Sequence, residues 1–179
     1  MTRKARAHRI ALAILAVLGT AAAVLQVLAC GRSRQPTAAE QVLRFRLRED
    51  PPTLDPALTN DQLSEAVVLN VFRGLVEMDP GTLEVRPAVA ASWTIADDRR
   101  TYTFRLRDDV RFHNGRPVTA GDVEYSFRRM LSKETNSPRR FILEPIEGAR
   151  AFAEGKAGSI TGLVIPDERT VILRLERPF

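Results

Sequence analysis

Cysteine is almost absent from this chain of 179 residues: there is one, Cys30. A single thiol can form no disulfide within the chain, so the fold must rest on packing and hydrogen bonds even in an oxidising compartment. Histidine is nearly as scarce, at His8 and His113. A zinc-type site wants several His, Cys or carboxylate ligands at short spacing, and the set is too thin. The acidic pairs Asp97-Asp98 and Asp108-Asp109 do not mend this, because adjacent strand residues point to opposite faces. There is no G-x-S-x-G nucleophile turn and no glycine-rich phosphate loop. His113 stands beside Asn114-Gly115, where a turn role is the simpler one. The expectation is a protein with no catalytic residues, no metal site and no cofactor.

Acidic residues are missing from the first 29 positions, which carry Arg3, Lys4, Arg6 and Arg9. Taking those four from the 27 basic residues leaves 23 against 22 acidic, so the formal charge of +5 falls to +1 for the remainder. A nucleic-acid partner therefore loses most of its support. The other basic residues alternate with acids, as in Arg105-Leu106-Arg107-Asp108-Asp109, the pattern of a solvated face.

After the basic start, Ile10 to Ala29 is apolar except for Gly19, Thr20 and Gln26. That is the layout of a secretory leader. The run is also about long enough, at ~20 residues, to stay as an uncleaved membrane anchor. Val27-Leu28-Ala29-Cys30-Gly31 favours the leader, because it resembles a bacterial lipobox. The resemblance implies cleavage before Cys30 and a diacylglycerol thioether on its sulfur, holding the protein on the outer side of a membrane. Two or more acyl chains, at about 0.8 kcal/mol per buried CH₂, give stable anchoring. The expected organisation is a leader over 1–29, a lipidated polar tether over 30–41, and a folded body over 42–179.

The body alternates short strands with turns. Leu43, Phe45 and Leu47 alternate with arginines, which predicts an opening strand. Asp50-Pro51-Pro52-Thr53-Leu54-Asp55-Pro56 must be a loop. Asn60 or Asp61 can cap a helix running to about Arg73, with Gly74 at its end. Asp79-Pro80-Gly81 predicts a hairpin turn between Leu75–Met78 and Leu83–Val85. The central stretch, Pro87 to Phe127, reads as strand, turn, strand, tight loop and capped helix. Tyr102, Phe104 and Leu106 form one apolar strand face. Thr119 and Asp122 make a capping-box start, and Val123, Phe127, Met130 and Leu131 share one helix face. Ser137-Pro138 opens a short helix, and Glu147 to Glu154 forms another. The hairpin then returns: Ile165 to Leu175 echoes Ile95 to Leu106, two strand pairs of one sheet.

These motifs resemble the oligopeptide and dipeptide substrate-binding proteins of bacterial ABC importers, family 5 of the solute-binding proteins. The resemblance is carried by Thr53-Leu54-Asp55-Pro56, Val71-Phe72-Arg73-Gly74-Leu75, and Pro87-Ala88-Val89-Ala90-Ala91-Ser92-Trp93. It continues through Thr101–Arg107, Val110–Gly115 and Val118–Val123, and ends with Thr170–Phe179. It implies an α+β fold, the N-terminal part of a type II periplasmic-binding-protein-like architecture, with antiparallel hairpins packed on helices. Family members are far longer, so the resemblance also implies a fragment truncated at its C-terminus, lacking the second lobe. It implies a peptide ligand, most like the oligopeptide branch, and the permease subunits of an importer as partners. By position, Asn60, Asp61 and Gln62 match a loop that lines the ligand cleft, and Arg139 and Phe141 match a part that reaches the ligand. Helix capping is the plainer role for Asn60 and Asp61. Phe141 reads first as a core aromatic, and so does Trp93. The rival readings are a non-binding product of a decayed or split gene, and a membrane-attached interaction domain.

Overall fold

A computed structural model describes residues 44–178. The chain is divided into two units between Arg46 and Leu47, and the described residues lie almost wholly in the second. The leader, Cys30 and the tether lie outside the described residues. Of the predicted opening strand, 44–47 carry no strand, and Phe45 is 51% exposed. A strand needs a neighbour to take its backbone groups, and no described segment pairs with this one. No described helix is long and apolar enough to cross a membrane.

The second unit opens on the predicted loop and then helix α1, Gln62–Val71, capped by Asp61. The helix ends two residues earlier than the pattern predicts. Phe72 is its C-cap, with extended backbone, so Gly74 lies beyond the helix end. There the Gly74 carbonyl accepts the Val89 amide at 3.1 Å. Strands β1, Val76–Met78, and β2, Val85–Pro87, form a two-stranded antiparallel hairpin. Its turn is drawn by the Asp79 carboxylate, whose Oδ1 accepts the amides of Gly81 and Thr82 at 2.9 and 2.7 Å.

The main sheet has four antiparallel strands in the order β3-β4-β6-β5. Here β3 is Ala90–Ile95, β4 is Thr101–Leu106, β5 is Leu163–Asp167 and β6 is Thr170–Arg174. The two hairpins that echo each other in sequence are thus two strand pairs of one sheet. Their turns share one device. Asp98 Oδ1 accepts the amides of Arg100 and Thr101, and Oδ2 accepts the Thr101 hydroxyl, at 2.8, 2.9 and 2.8 Å. Asp167 likewise accepts the Arg169 amide and the Thr170 hydroxyl, both at 2.8 Å.

Helix α2, Ala120–Leu131, crosses this sheet. Its start is fixed by Asp122, whose carboxylate accepts the Thr119 amide and hydroxyl at 2.8 and 3.0 Å. The Ala120 amide is received by the Glu168 carbonyl in the β5–β6 turn, at 2.8 Å. The predicted face then links two apolar clusters. Ala120 and Val123 join Val89, Ala90, Phe104, Leu106 and Val171. Phe127 and Leu131 join Ile146, Ala149, Ala153 and Ile160. Trp93 packs on the first cluster, the core role expected of it. Ahead of α2, Gly115 turns the chain at φ +85°, as the Asn-Gly pair predicts.

The stretch after α2 is less helical than its pattern. Ser137 accepts the Arg139 amide at 3.1 Å, but the chain beyond it makes only a single 3-10 turn, Arg140–Ile142. The last helix, α3, covers Ala149–Ala153 only. Gly148 at its N-cap stands in the left-handed region, at φ 75°, which delays the start. Gly162 is where three segments meet. It links to Glu147 and Arg174 by backbone hydrogen bonds, and a Cβ there would collide with the Arg174 carbonyl.

Candidate ligand-facing site

The loop before α1 is shaped by short-range bonds. Asp55 Oδ1 accepts the Ala57 amide at 3.0 Å, and the Asp55 carbonyl accepts the Leu58 amide at the same distance. The Thr59 hydroxyl donates to the Pro56 carbonyl at 3.2 Å. Asp61 then caps α1, its Oδ1 accepting the Ser64 amide at 2.8 Å. That bond, followed by one from the Ser64 hydroxyl, holds the Asp61 carboxyl below the usual carboxylate range. Its other oxygen, Oδ2, is buried and meets no hydrogen-bond partner among the described residues. The capping role expected for Asp61 is therefore the one the structure shows. Asn60 and Gln62, on either side, are exposed.

Three contacts seat this loop on the segment around 129–139. The Arg129 guanidinium, in the last turn of α2, grips the Asp55 carboxylate with both Nη atoms, Nη1 reaching Oδ1 at 2.8 Å. The Ser137 hydroxyl donates to the Ala57 carbonyl at 2.6 Å, in a buried position. Arg139 pairs with Glu65 on the first turn of α1 at 3.1 Å. The Arg129 hydrogen bond is the main cause of the lowered Asp55 carboxyl, with the Ala57 amide adding to it against the cost of burial.

The structure thus joins 55–65 to 129–139 through Asp55–Arg129, Ala57–Ser137 and Glu65–Arg139. Arg139 is the predicted site residue that takes part in these links; Asn60 and Gln62 lie on the same segment without joining them, and Phe141 follows Arg139 by two positions. The structure corrects one expectation: Phe141 is 63% exposed and belongs to no core cluster. The 3-10 turn that carries it is too short to aim both Phe141 and Ile142 inward, and Leu143 takes the place in the core. Sequence reasoning missed Asp55, Glu65, Arg129 and Ser137. Asp55 and Arg129 are 74 positions apart, and so are Glu65 and Arg139. No local period marks such pairs. Away from this edge, His113 is exposed on its turn. A shallow open depression lined by Ala91, Leu106, Arg107, Asp108 and Asp109 gathers none of the site residues. Among the described residues there is no cluster of three or more His, Cys or carboxylates able to hold a metal.

The family model for the middle part of the bacterial extracellular solute-binding proteins, family 5, matches residues 84–179. The chain belongs to that family. Among relatives, it is 34% identical over 143 residues to the dipeptide-binding protein DppE of Bacillus subtilis, across 79% of this chain and 26% of that protein. It is 37% identical over 146 residues to the probable deoxycholate-binding periplasmic protein YgiS of Escherichia coli, across 80% and 27%. Among solved structures, the substrate-binding domain of an oligopeptide ABC transporter from Bacillus anthracis superposes with a TM-score of 0.73. It is 33% identical and the match covers 79% of this chain and 27% of that one. The chain spans about a quarter of the length of these relatives. The mixed α+β architecture is that of part of the family fold, as the motifs imply. Within this chain the matched stretch holds Arg129, Arg139 and Phe141, whereas Asp55 and 60–62 precede it.

Proposed function

We propose that this chain is part of the exported, lipid-anchored solute-binding component of a bacterial ABC importer, with peptides as its ligand class. Residues 1–29 act as leader, Cys30 carries the lipid, and 30–41 tether the body over 42–179, which delivers its ligand to the permease subunits. Asn60, Gln62, Arg139 and Phe141 face the ligand, and Asp61 shapes their loop by capping α1. The observation that carries this reading is the exposure of Phe141 beside Arg139, on the edge where the 55–65 loop docks. A large aromatic held out to solvent suits stacking on an extended ligand. The relatives add support through their own names, a dipeptide-binding protein and an oligopeptide transporter's binding domain.

A chimera tests it. Residues 44–178 replace the matching region of the Bacillus anthracis domain, and binding is followed by calorimetry with a pool of tri- to pentapeptides. Retained binding, weakened by Phe141→Ala or Arg139→Ala, is the expected result. A folded chimera that binds no peptide, or whose binding ignores both changes, overturns the reading.

A further inference from the structure

We propose that Arg129 is a positioning residue for the turn Asp55–Gln62, holding it in place through the carboxylate of Asp55. The inference rests on the reading of Asn60 and Gln62 as ligand-facing, but its test needs no ligand. The turn by itself is closed by few bonds, chiefly those of Ala57 and Leu58 to Asp55. Such a turn opens readily when its anchoring side chain is free to rotate. Here it is not free. The Asp55 oxygen that accepts the Ala57 amide is the one that Arg129 Nη1 reaches at 2.8 Å, while Nη2 holds the other oxygen. A two-point grip from a planar guanidinium fixes the plane of the carboxylate, which a single charge contact cannot do. The grip comes from a rigid element, since Ala120 and Leu131 at the two ends of α2 are both fully buried.

The division of labour along the edge supports the same conclusion. Ser137 holds the middle of the turn at the Ala57 carbonyl, and Arg139 holds the first turn of α1 at Glu65. Arg129 alone of the three acts on the residue that shapes the turn. Both partners of the grip are partly solvated, with side chains 36% and 26% exposed, which limits its strength. Its loss should therefore release the turn without unfolding the sheet.

Amide hydrogen exchange on the full chain, read by mass spectrometry, makes the test. Arg129→Met keeps the length and removes the fork; Arg129→Lys keeps the charge and one contact. In Arg129→Met, amides of 53–60 should exchange about five- to tenfold faster, as for the loss of one partly exposed charge-assisted bond. Those of β4 and β6 should not change, and Arg129→Lys should fall between the two. Unchanged exchange over 53–60 in Arg129→Met overturns the proposal. So does a uniform rise across the sheet, which would make Arg129 a general stabiliser, and so does a lysine variant no better than methionine. An absence of peptide binding by the chimera would sink the ligand reading and leave this exchange result standing, whereas unchanged exchange would sink the positioning role whatever is bound.

Discussion

Replacing Phe104 by alanine is the sharpest trial of the fold. Phe104 sits on β4, is 9% exposed, and faces Trp93 on one side and Val171 on the other as cross-strand partners. A phenylalanine buries about 150 Å². At about 25 cal/mol per Å² that is just under 4 kcal/mol, of which the alanine methyl keeps about 0.8. The ring also leaves a cavity, and the surrounding side chains can fill only part of it. The sum is a loss of about 3–5 kcal/mol, the range seen for buried aromatic truncations. Against a total stability of about 5–15 kcal/mol this is a large fraction. Trp93 is the only tryptophan of the chain, half-buried and in register with Phe104, so its fluorescence reports unfolding in urea directly. Ile95→Ala is the control. It lies on the adjoining strand but is 51% exposed, and should cost under about 1 kcal/mol. The midpoint should fall in Phe104→Ala with the urea slope unchanged. A loss below about 1 kcal/mol, or an equal loss in both variants, would refute the placement of Phe104 at the centre of the sheet.

Asp98 titrates at about 2 in the folded chain rather than 3.8, because the Arg100 and Thr101 amides bind its charged form. A lowered folded value means stability present in full above pH 3.8 and lost as pH falls toward 2. Melting temperature against pH should therefore fall less steeply across that window in Asp98→Asn, and an unaltered slope would count against the turn geometry. Gly162→Ala pushes a methyl against the Arg174 carbonyl and to 2.8 Å from the Glu147 amide nitrogen, both backbone atoms that cannot swing away. It should cost about 1–3 kcal/mol in urea unfolding, as overpacking does, and a neutral result would mean the three segments are not in contact. Cys30→Ser should leave an unprocessed precursor that takes up no labelled fatty acid in cells. Incorporation of label into that variant would remove the lipid from Cys30.

The features legible in the sequence are those that one element decides alone. Alternation over Tyr102–Leu106 marks β4, and Thr119 with Asp122 marks the start of α2, because a strand face and a helix cap are each set within a few residues. The paired turns are legible for the same reason: one aspartate two and three residues before the groups it binds. Where the outcome depends on a partner, the pattern misleads. The residues after Arg44 alternate as a strand should, yet 44–47 form none, since alternation specifies a face and not a neighbour. The general preference of aromatics puts Phe141 inside, but a 3-10 turn settles which of three successive apolar residues turns inward, and Leu143 does. The contacts that build the candidate site, Asp55 with Arg129, Glu65 with Arg139, and Ser137 with Ala57, join segments far apart in the chain. Each alone reads as an ordinary loop acid, helix-end base or turn serine.

Helix α1 shows the other side of that limit. Its sequence, Gln62–Val71, is apolar on most of its circumference, which is the pattern of a helix covered on several sides. Only Ser64 and Val68 are buried, and Leu69 stands 72% exposed, with Val71 and Phe72 next to it in the open. The neighbouring hairpin repeats this with Met78 and Val85. The main sheet and α2, by contrast, bury the faces their patterns assign. Exposed apolar residues occur elsewhere too, as at Ile95 on β3 and Tyr125 on α2, but in α1 and the first hairpin they make up most of the apolar positions. A chain whose matched relatives are about four times its length can carry such faces without any conflict in the pattern itself. The exposed ring of Phe141 has a different setting, two residues from Arg139 on the edge where the 55–65 loop docks. An aromatic near fixed polar groups is the arrangement that the proposed ligand-facing role of Phe141 and Arg139 requires, and the alanine variants in the chimera test it.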